Sequence, residues 1–298
     1  MYQISKEGKN LHGNINISGS KSESNRLLTL RAYTSFFNIN NLSDSDDTKI
    51  MISSLKSDEE EINIEHAGTA MRFLASYYSS ILNSSKILTG SSRMKERPIL
   101  ILVEALNNIG ADIEYIDKKG YPPIKINGKL ICGNYIALPA DVSSQYVSSL
   151  MMLGVSINQG LKIKLSTKIT SLPYIDMTKK IIERIGGIAE VKPDEIIIKQ
   201  LVSNKIPDQT VESDWSSASY FFSLVALSDS SDLILSSFFH NSIQGDSRIV
   251  EIYKQFGVET KFLNDKIYLK KNNIHLPDSI SINLRDNPDL AQTIVVTC

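Results

Sequence analysis

Four stretches place hydroxyl, glycine or amide residues where a helix is expected to begin. In "GSKSESNR", Lys21 and Ser22 open an apolar helical run and Arg26 follows one turn later. "HAGTAMR" puts Gly68 and Thr69 at a helix start, with Arg72 on the next turn. "VSSQ" offers Ser143, Ser144 and Gln145, and "TSLPYIDMT" offers Ser171 just ahead of Pro173 and Tyr174. The chemistry these residue types share is anion binding. Free backbone N–H groups and the positive end of the helix dipole face a ligand, and hydroxyls add donors. Glycine at Gly68 permits close backbone approach. A side chain at i+3 or i+4 shares the face of the cap. Charge-assisted hydrogen bonds contribute about 1.5–3 kcal/mol, against about 0.3–1 kcal/mol for a helix dipole, so basic side chains would dominate the affinity. The alternative is ordinary capping, because Ser, Thr and Asp are common N-caps. The residues alone leave both readings open.

"RMKERPI" adds Arg93, Lys95 and Arg97. Charges at alternate positions predict an extended segment with one basic face, or else a solvated loop. Pro98 fits the first turn of the helix that follows.

Composition limits the ligand. The chain has 298 residues, a formal net charge of −1 and a pI of about 6.4. No nucleic-acid or membrane partner is expected, so an anion site must be built from a few focused Lys and Arg. The length allows two medium domains, each with its own core. The two cysteines, Cys132 and Cys298, form no metal or disulfide pattern, and none of the four histidines is spaced as a metal pair. Cys132 follows "GKLI", which reads as a strand. There is no signal-peptide run and no membrane-length apolar stretch, and a cytoplasmic location is expected. The last residues, "NPDLAQTIVVTC", read as a helix without a stop signal, and a C-terminally incomplete chain is expected.

The elements that must position these residues repeat. "KERPILILVEALNNIGADIEYI", "YIDMTKKIIERIGGIAEVK" and "GDSRIVEIYKQFGVETKF" each run an amphipathic helix to a glycine and then into an alternating strand. The glycines, Gly110, Gly186 and Gly257, lie 76 and 71 residues apart. A period near 70 residues predicts repeated α+β units. "GNINISGS" and "IIIKQL" read as strands. "GTAMRFLASYYSSIL", "SSQYVSSLMMLGV" and "SSASYFFSLVAL" read as helices. The run Asp58 to Glu61 reads as solvated surface.

Taken in order, "GSKSESNR", "AGTAMR", "RMKERPI", "YPP", "SSQYVSSLMM", "PYIDMT", "SSASYF", "QGDSR" and "PDLAQT" resemble the 5-enolpyruvylshikimate-3-phosphate synthase family along essentially the whole chain. The resemblance implies an α/β (α+β) fold, a two-domain inside-out α/β barrel of repeated βαβαββ units whose helix N-termini face the interdomain cleft. It implies a discontinuous domain, 1–20 with 214–298, incomplete here, and a second domain, 21–213, that binds shikimate 3-phosphate. The implied reaction joins shikimate 3-phosphate to phosphoenolpyruvate. The 5-hydroxyl attacks C2 of phosphoenolpyruvate, C3 is protonated, and the tetrahedral intermediate loses phosphate. No metal or organic cofactor is implied, and a monomer is expected.

Roles carry over on matching positions. The resemblance gives Lys21 a place at the reacting centre and gives Asp289, in "NPDLAQT", the 5-hydroxyl proton. Ser22, Arg26, Ser143, Ser144, Gln145, Ser171, Tyr174 and Asp289 are implied on the shikimate 3-phosphate side. Lys21, Gly68, Thr69, Arg97 and Gln145 are implied on the phosphoenolpyruvate side. The residues alone read Asp289 as a helix N-cap after Pro288. Three positions depart from the family pattern. His66 stands where Asn is common, Phe73 where Pro is common, and Trp215 where a small residue is common. The spelling around Gly68 resembles the glyphosate-sensitive class. The family's later motifs, a Lys-Glu pair and further Arg and Lys, have no counterpart in the 298 residues. A binding-only chain that holds shikimate 3-phosphate is therefore the alternative to turnover. A related transferase acting on UDP-N-acetylglucosamine is the other alternative, disfavoured because "RMKERP" lacks that relative's loop cysteine.

Overall fold

The computed structural model describes residues 10–139, 143–166, 172–203, 205–275 and 278–298. Two compact units divide the chain. One takes residues up to Ser20 and from Val211 onward, and the other is Lys21–Thr210.

The first unit opens with β1 (Asn10–Asn16). The second unit then runs α1 (Lys21–Tyr33), β2 (Ile39–Asn40), α2 (Asp46–Lys56), β3 (Glu61–Asn63), α3 (Gly68–Ser79) and β4 (Ser85–Thr89). It continues through α4 (Ser92–Lys95), α5 (Leu100–Asn108), β5 (Asp112–Tyr115), β6 (Ile124–Asn127) and β7 (Tyr135–Leu138). It ends with α6 (Ser144–Gly154), β8 (Leu161–Leu165), α7 (Leu172–Arg184), β9 (Ala189–Val191), β10 (Glu195–Ile198) and β11 (Gln209–Thr210).

Two sheets of this unit share one topology, in the orders β3-β4-β6-β5 and β7-β8-β10-β9. In each, the leading pair is parallel, with Glu61 beside Ile87 and Tyr135 beside Lys162, and the other pairs are antiparallel. A parallel pair needs a crossover, which α3 and α6 supply. Each sheet is thus a βαβαββ unit, with the second helix of the first broken into α4 and α5. Strand residues alternate in burial, so one sheet face is covered. The helices differ. Every residue from Glu23 to Leu30 of α1 is buried, as is every residue from Tyr146 to Gly154 of α6. Helices buried on all sides lie inside, against one another, with the half-buried strands outside. That is the inside-out arrangement.

Helix ends follow the glycines. Gly110, Gly186 and Gly257 have φ of +106°, +90° and +79°, the left-handed geometry that ends a helix and admits Gly without strain. Strands begin at Asp112, Ala189 and Val258.

The first unit resumes with α8 (Trp215–Ala226), β12 (Ser230–Ser236), α9 (Ile249–Lys254), β13 (Val258–Leu263), β14 (Lys266–Lys271) and α10 (Ala291–Thr297). Its sheet, β1-β12-β14-β13, repeats the pattern, with β1 parallel to β12. Trp215 is fully buried in its core, edge-on to Phe238 at 4.7 Å. Among the described residues, no helix is long and apolar enough to cross a membrane.

Three local expectations need correction. The Arg93–Arg97 segment is not extended. Ser91 caps α4 by accepting the Met94 N–H at 3.3 Å, and Met94 is buried beneath it. Pro98 lies two residues before α5 rather than in its first turn. "GKLI" before Cys132 is irregular chain between β6 and β7, not a strand.

Candidate active site

Arg26 organises the second unit. It is only 2% exposed, yet it carries a charge. Its Nε–H donates to Thr178 Oγ1 at 2.7 Å, Nη1 to the Ser22 carbonyl at 2.8 Å, and Nη2 to Ser148 Oγ at 3.1 Å and the Tyr174 carbonyl at 3.5 Å. The rings of Phe73 and Tyr174 lie 5.6 and 5.8 Å from its guanidinium carbon. These partners come from the first two turns of α1, α3, α6 and α7, so one side chain gathers four helix starts. All of its hydrogen-bond partners are neutral. Glu23, on the same helix, is committed to Arg184 at 2.7 Å. Burial lowers the Arg26 pKa to about 10, against weaker opposing contributions from Tyr174 and Glu23. A desolvated cation without an ion-pair partner is costly until an anion reaches it.

Several polar candidates of this unit are uncommitted. Among the described residues, the side chains of Ser22, Thr69, Ser144, Gln145 and Arg97 have no hydrogen-bond partner. Ser22 is the second residue of α1, inside the helix rather than its cap. Lys21 is exposed at the helix start, with Nζ 3.8 Å from Asp47 Oδ1 in the first turn of α2. Ser143 caps α6, accepting the Gln145 N–H at 3.3 Å. Tyr174 is half-buried in the first turn of α7. Ser171 lies outside the described residues.

Gly68 begins α3, and the Arg97 guanidinium occupies the space a Cβ on Gly68 would take. A Cβ there would stand 2.2 Å from Arg97 Nη1. Arg72 is scaffold. Its Nη1 donates to the Gly68 carbonyl and its Nη2 to the Pro98 carbonyl, both at 3.1 Å. It thereby ties the α3 start to the chain leaving Arg97. Burial lowers the Arg72 pKa, Tyr146 opposes this, and nearby Arg97 lowers it further. Two guanidiniums held close together favour an anion between them. His66 is exposed, with Nδ1 2.7 Å from Ser91 Oγ, the cap of α4. Phe73 fills the space under Arg26.

In the first unit, Asp289 is exposed in the 3-10 turn Pro288–Leu290 and is not the cap residue. The preceding Asn287 turns back and donates to Asp246 Oδ1 at 3.2 Å, while Ser216 donates to Asp246 Oδ2 at 2.6 Å. Burial raises the Asp246 pKa, those two bonds lower it, and Asp289 and Asp214 raise it again. Trp215 contributes to the core, and its indole N–H donates to buried Glu212 at 2.8 Å.

Sequence reasoning missed Thr178, Ser148 and Asp47. Thr178 and Ser148 stand four residues after Tyr174 and Ser144, a helical spacing that puts them beneath named candidates.

The sequence profile of the family EPSP synthase (3-phosphoshikimate 1-carboxyvinyltransferase) matches residues 52–298. A 3-phosphoshikimate 1-carboxyvinyltransferase of Bacteroides fragilis (strain YCH46) is 43% identical over 285 residues, covering 95% of this chain and 69% of that relative. One from Buchnera aphidicola subsp. Baizongia pistaciae is 34% identical over 318 residues, covering 96% of this chain and 72% of the relative. The solved EPSP synthase from Acinetobacter baumannii shares the fold with a TM-score of 0.76 at 18% identity, over 98% of this chain and 72% of that one. With its repeated βαβαββ units and a profile match over most of its length, the chain belongs to the EPSP synthase family.

Proposed function

We propose that this chain transfers the enolpyruvyl group of phosphoenolpyruvate to the 5-hydroxyl of shikimate 3-phosphate, and that residues 21–213 are its shikimate 3-phosphate-binding domain, residues 1–20 with 214–298 forming the other domain. Arg26, Ser22, Ser143, Ser144, Gln145, Ser171 and Tyr174 hold shikimate 3-phosphate. Gly68, Thr69 and Arg97 hold phosphoenolpyruvate, with Lys21 and Gln145 serving both substrates. The 5-hydroxyl oxygen forms a bond to C2 of phosphoenolpyruvate and its proton goes to Asp289. C3 takes a proton, and the C2–O bond to phosphate then breaks as the proton leaves C3. Lys21 contributes positive charge where the phosphate departs. The protein acts in the cytoplasm as a monomer.

The observation that carries this reading is Arg26, a buried cation whose hydrogen-bond partners are all neutral, in a unit where, among the described residues, the hydroxyl and amide side chains of Ser22, Thr69, Ser144 and Gln145 stand uncommitted at three helix starts. Calorimetry with shikimate 3-phosphate tests it. Arg26→Gln is expected to weaken binding by about 1.5–3 kcal/mol through loss of a charge-assisted bond. Unchanged affinity in a folded variant would return Arg26 to a structural role. Phosphate release with both substrates present tests the transfer.

A further inference from the structure

The guanidinium of Arg26 is oriented by a closed ring of hydrogen bonds. Nε donates to Thr178 Oγ1 at 2.7 Å, Thr178 Oγ1 lies 2.8 Å from Ser148 Oγ, and Nη2 donates to Ser148 Oγ at 3.1 Å. A guanidinium has five N–H bonds in one rigid plane. Four meet acceptors: Thr178 Oγ1, Ser148 Oγ, and the carbonyls of Ser22 and Tyr174. The fifth, on Nη1, has no acceptor among the described residues. Nη1 is also the nitrogen bonded to Ser22, beside the α1 start where Lys21 and Ser22 stand. Thr178 and Ser148 come from two different helices, α7 and α6, and both are buried. The ring therefore fixes the plane without neutralising the charge, which a carboxylate in the same place would do.

We propose that Thr178 and Ser148 are positioning residues that set the plane of Arg26 and present its free Nη1–H to an anionic group of shikimate 3-phosphate. This rests on the reading of Arg26 as a substrate ligand. Neither hydroxyl touches the substrate. Their contribution is that the donor is already aimed when the anion arrives, so less ordering accompanies binding.

The test is calorimetry of shikimate 3-phosphate binding to the whole 298-residue chain, with urea midpoints as the fold control. Thr178→Val keeps the shape but removes the acceptor of Nε–H, and is expected to weaken binding about tenfold. Thr178→Ser is expected to restore it. In an Arg26→Gln background, Thr178→Val is expected to add no further loss, which a general packing defect would not reproduce. Parent-like affinity of Thr178→Val, or the same loss on top of Arg26→Gln, would overturn the proposal. If Arg26→Gln alone binds like the parent, the reading of the site fails instead. Where Thr178→Val does not fold, Ser148→Ala opens the same ring from the α6 side. Weakened binding there supports the proposal, and unchanged binding overturns it.

Discussion

A methyl group at Gly68 would stand 2.2 Å from Nη1 and 2.7 Å from the central carbon of Arg97, closer than any real Cβ contact. The obstacle is the far end of a flexible side chain, so the backbone can stay while the guanidinium swings away. Gly68→Ala is therefore expected to leave folding and shikimate 3-phosphate affinity intact, and to raise the KM for phosphoenolpyruvate about tenfold by displacing one charge-assisted contact. Steady-state kinetics checks the split, and an equal loss for both substrates would place Arg97 elsewhere. Lys21, Ser22 and Arg26 stood out as candidates because a basic residue one turn inside a hydroxyl-rich helix start is an unusual combination. The burial of Arg26 was not legible. Arginine is rarely buried without a carboxylate, and its acceptors lie 122 and 152 residues away in sequence. Trp215, one of the three departures from the family pattern, goes to the core, where an aromatic of that volume on an inward helix face is buried.

Helix starts carry two roles at once in this fold, and α6 lets them be separated. Ser143 caps the helix, since its Oγ accepts the Gln145 N–H, and it is also a proposed phosphate ligand. Ser143→Ala removes both roles, at about 0.5–2 kcal/mol of stability for the cap alone. Ser143→Asp keeps a good cap but sets a negative charge where the 3-phosphate would sit. The expected outcome is a urea midpoint near the parent's with shikimate 3-phosphate binding lost in calorimetry. Retained binding by Ser143→Asp would show that the phosphate lies away from this terminus. At this scale the sequence reads well where local chemistry decides. The three glycines end their helices because only they tolerate the left-handed conformation cheaply. It misread Arg93–Arg97, where alternating charge imitated a strand. Capping by Ser91 and burial of Met94 prevail over that pattern, because one buried contact and one cap outweigh the disposition of solvated side chains.

The three βαβαββ sheets were legible as a period near 70 residues, because each repeat ends its helix and starts its strand by the same local devices. The division into two units was not marked by composition. No glycine- or proline-rich linker stands at residue 20 or 210, because the chain there is hydrogen-bonded rather than loose. Gly19 bridges Ser213, Ser20 N–H donates to the Glu212 carbonyl at 2.8 Å, and Ser213 Oγ donates to the Ile17 carbonyl at 2.6 Å. Glu212 in turn accepts from the Trp215 indole, the Phe239 N–H, Ser242 and Gln244. Trp215 thus joins the aromatic core of the first unit to its polar anchor. Removing it should therefore report on that unit alone. Trp215→Ala is expected to cost about 3–5 kcal/mol. Because each unit has its own core, hydrogen exchange should lose protection in β12, β13 and β14 while β3 to β6 stay protected. Shikimate 3-phosphate should still bind, since its proposed residues other than Asp289 all belong to the second unit. Uniform loss of protection through both units would mean that they unfold as one cooperative body, and loss of binding with the second unit still protected would mean that the first unit supplies most of the affinity.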